Sequence, residues 1–415
     1  MNIPSISFKY IKANPLNAVL NVLILSLGIA IIAILLLLSH QLEDKLSKNS
    51  KGLDLVIGAK GSPLQLVLCN LFHIDYPTGN ISLSEAKKLA SGPMVKKAIP
   101  LALGDSYQGF RIAGTNHLFV DHYAAKIEKG KLWEHKMQVT IGSLVAQRIN
   151  MSVGDTFLGT HGMGGATGDA HEGAEYEVVG IFEKTNSVLD NLIVTSVESV
   201  WAVHEHEEDH EHHEHEEAHN HNEVALVGLP KGEEDSEITS LLVKFKSPMA
   251  AITMPRIINE QTNMQAASPS FEIARLFSIM GVGAELLSGF AYLMVFIAVL
   301  SIFISLYHAL KERRYDLAVM RSLGSSRITL FLLVISEGIL ISLFSALVGL
   351  CLAHGVLMLI GTYNTDAVKA GISGLIFLKE ESYILAFSLL IGAFTALIPA
   401  LQSYRTDITE VLAKG

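Results

Sequence analysis

Cysteine is almost absent: Cys69 and Cys351 are the only two in 415 residues. One lies outside and one inside an apolar segment, which argues against a disulfide framework and leaves the redox compartment open. Charge is scarce as well. With 17% charged and 50% hydrophobic residues, the composition departs from that of a soluble chain and points to a membrane protein. No G-x-x-x-x-G-K-[ST] occurs, and the glycine-rich "GMGGATGD" lacks the lysine that would meet phosphates. Cations are missing where acids concentrate: "HEHEEDHEHHEHEEAHNHNE", His204 to Glu223, holds nine carboxylates and no Lys or Arg. Those nine account for all but one unit of the formal net charge of −10. The rest of the chain is balanced and gives no electrostatic sign of a nucleic-acid or acidic-lipid partner.

Long apolar runs are what the sequence does have. Asn17 to Ser39 carries no charge over 23 residues, enough at about 1.5 Å per residue to cross a hydrocarbon core of about 30 Å. The following "LLLLSHQLEDK" offers no A-x-A-like exit, so the run reads as an uncleaved anchor. Three further segments follow: Leu286 to Leu310, Ile328 to Ile360 and Tyr383 to Leu401. The middle one exceeds a single span and is expected to tilt, break or continue beyond the bilayer. Lys9 and Lys12 precede the first span, and "KERRYDLAVMRSLGSSR" with Lys311, Arg313, Arg314, Arg321 and Arg327 joins the second to the third. The positive-inside bias puts both on the cytoplasmic side.

The expected fold is an α-helical membrane protein with four transmembrane helices and a large α+β extracytoplasmic domain between the first and second. Its divisions are a cytoplasmic segment 1–16, spans at 17–39, 284–310, 328–360 and 383–401, the outer domain 40–283, a cytoplasmic segment 311–327, an outer loop 361–382 and a cytoplasmic tail 402–415. In the outer domain, "DLVIG", "QVTIG", "EYEVVGIF" and "NLIVTSV" alternate like strands between Gly, Pro, Asn and Asp. "SLSEAKKLASG" reads as a capped helix closing at Gly92, and "SVESVWAV" as a short helix. The His/Glu run at 204–223 then reads as a loop before a further strand, "EVALVGL".

Eight histidines fall within that run: His204, His206, His210, His212, His213, His215, His219 and His221. Neutral imidazole beside carboxylate suits Zn²⁺, Ni²⁺ or Cu²⁺, and a flexible run favours loose, exchangeable binding. No cofactor is required by anything else in the sequence. His206 to His210 and His215 to His219 match H-E-x-x-H, a pattern near inevitable in a His/Glu string and lacking an apolar helix face, so a protease is disfavoured. His117 with His122, and His161 with His171, are outlying candidates to supplement a metal site, with ordinary surface residues as the simpler reading. Glu337, inside the third span, must face another helix, be protonated or lie nearer the interface. A structural role at a subunit interface is the favoured reading.

"LKERRYDLAVMRSLGSSRITLFLLVISEGILISLFSALVGL" (Leu310 to Leu350) resembles the basic E-R-R-x-E-x-x-x-x-R-x-x-G-x-x-x-x-x-I segment of the permease subunits of the MacB, FtsX and LolC/LolE class of ABC transporters. Glu312, Arg313, Arg314, Arg321 and Gly324 fall on the pattern, with Asp316 where Glu is common and Leu330 where Ile is. "IPALQSYRTDITEVL" is similar to that class's closing segment through Pro399, Ala400, Glu410 and Leu412, with Ile408 replacing its second proline. The resemblance implies a coupling helix that receives motion from a separate ATPase of the LolD, MacB or FtsE kind. It also implies a second permease copy or a homologous one, a periplasmic protein as further partner and an inner-membrane location. On the residues alone, Arg313, Arg314 and Arg321 are expected toward water or a partner, and Leu317, Ala318, Met320 and Leu323 toward the opposite face. Within the class, a metal-linked system, lipoprotein release and peptide or antibiotic efflux all stay open, as does a non-transporting metal sensor outside it.

Overall fold

The computed structural model describes residues 3–13, 15–162, 170–208, 223–233, 235–364 and 372–405. Two compact units emerge: residues 43–279, and residues 1–42 with 280–415. The chain opens with α1 (Ile3–Ala13) and α2 (Pro15–Ser50). The outer unit then runs β1 (Leu55–Ala59), α3 (Pro63–Leu71), β2 (Ile81–Ser82), α4 (Leu83–Ala90), β3 (Val95–Tyr107), β4 (Phe110–Thr115), α5 (His117–His122), β5 (Ile127–Gly130) and β6 (Gln138–Ile141). It continues with α6 (Ser143–Ile149), β7 (Thr156–His161), β8 (Ala170–Phe182), a 3-10 turn at Val188–Asn191, β9 (Leu192–Ser196), α7 (Val197–Glu208), β10 (Glu237–Ile238), β11 (Ser240–Phe245), α8 (Pro248–Gln261) and β12 (Met264–Ala267). The chain returns through α9 (Pro269–Glu312), α10 (Arg314–Ser322), α11 (Arg327–Tyr363) and α12 (Glu380–Arg405).

Ten strands form one sheet in the order β12-β1-β11-β3-β4-β9-β6-β8-β5, with β7 bonded to both β3 and β8. Side chains alternate across a strand, and the sheet uses that alternation to feed two cores. Leu55, Ile57, Leu241 and Val243 face one cluster with Ala86, Val197 and Ala250. Val56 and Leu242 face another with Leu66, Phe119 and Trp133. The long β3 serves three partners, pairing with β11 along Val95–Leu101, with β4 along Ala102–Tyr107 and with β7 at Asp105 and Ser106. Because β7 bridges β3 and β8, the strands β3, β4, β9, β6, β8 and β7 close into a ring.

Among the described residues, four helices are long and apolar enough to span a membrane: α2, α9, α11 and α12. All run beyond the apolar segments because polar turns continue the helix past the hydrocarbon stretch. The last turns of α2 and the first of α9 belong to the outer unit, where Leu46, Ile273, Leu276 and Phe277 join its core. In the membrane unit, glycines permit close helix approach. A Cβ at Gly338 of α11 would lie 2.6 Å from the Gly392 carbonyl of α12, and one at Gly349 would lie 2.8 Å from the Ser26 carbonyl of α2. The 1–16 segment contains α1, whose Ser7 hydroxyl bonds the Leu333 carbonyl at 3.2 Å.

Two local expectations are overturned. "EVALVGL" is not a strand: the Leu226 and Gly228 carbonyls accept from the His117 amide and the Asn116 side chain, and the Ala225 amide donates to Glu198. Its backbone groups are thus committed outside any ladder. The run at 204–223 does not begin as a loop, because α7 carries through Glu208. Ser196 Oγ accepts from the Ser199 amide at 3.1 Å and caps that helix. Cys69 and Cys351 are free thiols, Cys69 being buried.

Candidate functional site

The segment between α9 and α11 is a short helix ended by a glycine. Leu317 and Ala318 of α10 are buried, Leu317 packing with Leu310, Leu330 and Leu333, while Glu312, Arg314 and Asp316 are exposed and Arg321 is half-buried. At Gly324 the backbone adopts φ 100, its amide bonds the Arg321 carbonyl, and the Ser325 amide reaches back to Met320, each at 3.0 Å. This reciprocal pair is a Schellman cap, which stops α10 and frees Ser326 to cap α11. Leu323 departs from expectation: it is 82% exposed. At 100° per residue it sits about 120° around the helix from Leu317, off the buried face.

Arg313 also departs from expectation. It occupies the break between α9 and α10, and its side chain turns inward. One guanidinium nitrogen lies 3.1 Å from Glu337 Oε1, the other donates to the Tyr10 carbonyl at 3.2 Å, and the group stacks over the Tyr10 ring at 4.2 Å. Glu337 therefore faces a helix junction of its own chain, because a carboxylate buried among apolar spans is stabilised there by a cation. A second buried pair was not anticipated. His354 of α11 lies 3.1 Å from Glu381 of α12, and its other ring nitrogen donates to the Gly374 carbonyl at 2.7 Å. A carbonyl only accepts, so the pair carries either an imidazolium with a carboxylate or a neutral ring with a protonated acid. Its signal was a histidine inside an apolar run.

Of the His/Glu run, His204 and His206 lie on α7, and only His204 can be described at the side-chain level. His210, His212, His213, His215, His219 and His221 lie outside the described residues, as do Glu410 and Leu412. His204 Nε2 is 3.5 Å from Asp105 Oδ2, and His161 Nδ1 is 3.3 Å from Asp105 Oδ1. The two imidazoles stack with centroids 4.9 Å apart at 28°. One donor atom from each of the three residues lies within 4.8 Å of the others. The Asp105 carboxylate is fully buried, whereas His161 and His204 keep 43% and 39% of their side chains exposed.

Each member is positioned by its element. Asp105 sits on β3 directly opposite His161 of β7. On either side of His161, the Thr160 hydroxyl and the Gly162 amide bond the Ser106 and Gly104 carbonyls, both at 2.9 Å. Val203, buried with Phe110 and Tyr176, fixes the rotational phase of α7 beside His204. Burial, and then the nearby Asp105 charge, push the Tyr176 phenol upward. The side chain of His171 lies outside the described residues, and His117 and His122 have other surroundings: His117 bonds the Trp133 carbonyl, and burial pushes His122 downward. Asp105 was missed because nothing local marks it; only the β3–β7 pairing brings it to the histidines.

These features define a multi-pass membrane protein with a large α+β domain between its first and second spans. Residues 18–251, more than half of the chain, match the MacB-like periplasmic core domain, and residues 288–408 match the FtsX-like permease C-terminal domain. The chain belongs to the MacB/FtsX-like family of ABC transporter permeases. Solved structures similar to it include the periplasmic region of MacB from Actinobacillus actinomycetemcomitans, at 11% identity and a TM-score of 0.35, covering 57% of this chain and 97% of that one. The extracellular domain of the noncanonic ABC-type transporter YknZ from Gram-positive bacteria matches at 11% identity and a TM-score of 0.30, covering 51% and 98%. No curated protein matches the chain.

Proposed function

We propose that this chain couples ATP hydrolysis by a separate nucleotide-binding subunit to movement of its outer domain, from an inner membrane and in a zinc- or other metal-linked system. The observation that carries the reading is α10. Its buried Leu317 seats it on Leu330, Leu333 and Val334 of α11, while Arg314, Tyr315 and Asp316, with Glu312 just before them, are exposed to a soluble partner. Arg313 links the start of that helix to Glu337 inside α11, so a push on α10 has a buried ion pair through which to act. Permeases of this family work with an ABC ATPase, and the absence of a phosphate-binding lysine motif in the chain is consistent with a partner supplying one. A pair of permease chains, identical or homologous, completes such an assembly. The His/Glu run supports the metal link through its ligand chemistry.

The test is coexpression with the cognate ATPase and reconstitution in lipid. Glu312→Lys with Arg314→Glu is expected to release the ATPase from the purified complex and to lower permease-dependent hydrolysis at least ~10-fold. Unchanged copurification and hydrolysis would sink the coupling role. Failure of any ATPase to copurify with the unsubstituted chain would favour a membrane-anchored metal sensor.

A further inference from the structure

We propose that Asp105, His161 and His204 form a built-in site for one divalent late first-row ion, Zn²⁺ in the first place, distinct from the loose binding capacity of the His/Glu run. Two imidazoles and one carboxylate are the donors such ions take, and three protein ligands leave a fourth position for water or another side chain. A set with a single carboxylate is poor for Ca²⁺ or Mg²⁺, which call for several oxygens. The spacing suits the ion. Bonds of about 2.0–2.1 Å at tetrahedral angles put donor atoms roughly 3.3 Å apart; His161 lies 3.3 Å from one Asp105 oxygen, His204 3.5 Å from the other, and one donor atom from each residue lies within 4.8 Å of the others.

The site is assembled before any ion arrives. Strand pairing holds Asp105 against His161, the bonds flanking His161 fix its strand end, and the buried Val203 sets the helix that carries His204. The fully buried Asp105 carboxylate supplies the negative charge at the centre, and the two stacked imidazoles flank it. Solvent reaches the two histidines, so an ion can enter without opening the core. His204 is also the first residue of the His/Glu run. A bound ion therefore joins β3, β7 and α7 and anchors the start of that run to the sheet.

The site does not depend on ATPase coupling, and its test reads metal alone. The full chain and a chain lacking residues 209–222, which keeps all three ligands, are purified metal-free in lipid nanodiscs and titrated with Co²⁺ and, against a chelator, Zn²⁺. The shortened chain is expected to bind one equivalent with visible Co²⁺ absorption bands. His161→Ala in that background should weaken binding roughly 10-fold or more, leave the metal-free melting temperature unchanged because the side chain is partly exposed, and lose the bands. Asp105→Asn should do the same, and if it melts early, His161→Ala carries the result. A shortened chain that binds no ion, or a His161→Ala chain that binds as the unsubstituted one does, overturns the site.

Discussion

Single residues decide where charge can live in this chain. Arg313 and Glu337 retain 13% and 8% side-chain exposure and depend on each other. Arg313→Ala leaves a buried carboxylate without its cation, an expected loss of about 3–5 kcal/mol. The melting temperature of the purified protein should drop accordingly, and Arg313→Ala with Glu337→Gln should recover part of the loss. His73 behaves differently: both ring nitrogens are buried with no hydrogen-bond partner among the described residues, although the residue as a whole is partly exposed. Burial, reinforced by the Arg111 charge, pushes its pKa from 6.5 down to about 3. The folded value lies below the unfolded one, so its contribution is fully present above pH 6.5 and is lost as pH falls toward 3. The cost reaches about 1.4 kcal/mol per pH unit within that window. Denaturant unfolding followed by Trp133 fluorescence should show that slope, and His73→Asn, which tolerates the local φ of 55, should flatten it. Arg313 shows the limit of reading residues one at a time. Its motif position was legible, but its inward direction depends on a carboxylate one helix away.

Elements carry the next level of prediction. The approach of α11 to α12 requires the absence of a side chain at Gly338, because the opposing atom is backbone and cannot rotate away. Gly338→Val should separate the two helices, seen as faster proteolysis of the membrane unit and a lower melting temperature, whereas Gly289→Ala, with open space around it, should not. Long apolar runs made the spanning helices legible, since length and hydropathy are local properties. The strands around "EYEVVGIF" and "NLIVTSV" were legible for the same reason, their alternation being written in consecutive residues. "EVALVGL" misled because alternation reports a half-buried strand only if a neighbouring edge is available, and here its carbonyls serve the start of α5 instead. The helical start of the His/Glu run was hidden by composition. The capped, buried first turns of α7 carry the helix into residues whose own polarity argues for a loop.

At the scale of the molecule, the charge pattern around the spans predicts orientation, and labelling can check it. In a Cys351→Ser background, Val153→Cys, exposed on the outer unit, should react with a membrane-impermeant maleimide in intact cells whose outer barrier is open. Ser322→Cys at the end of α10 should react only after the membrane is permeabilised. The reverse pattern would invert the topology. The division into membrane and outer units was legible from hydropathy alone, whereas the Asp105 site was not, because three segments distant in sequence meet only once the sheet has closed. That closure has a further effect. A strand locked on both sides has no spare amides or carbonyls to offer a neighbouring molecule, so the ring protects six strands from edge-to-edge aggregation. What is left on that side of the sheet is β5, four residues long and bearing Glu128 and Lys129. A short, charged border of this kind is how β proteins discourage edge-to-edge fibre growth.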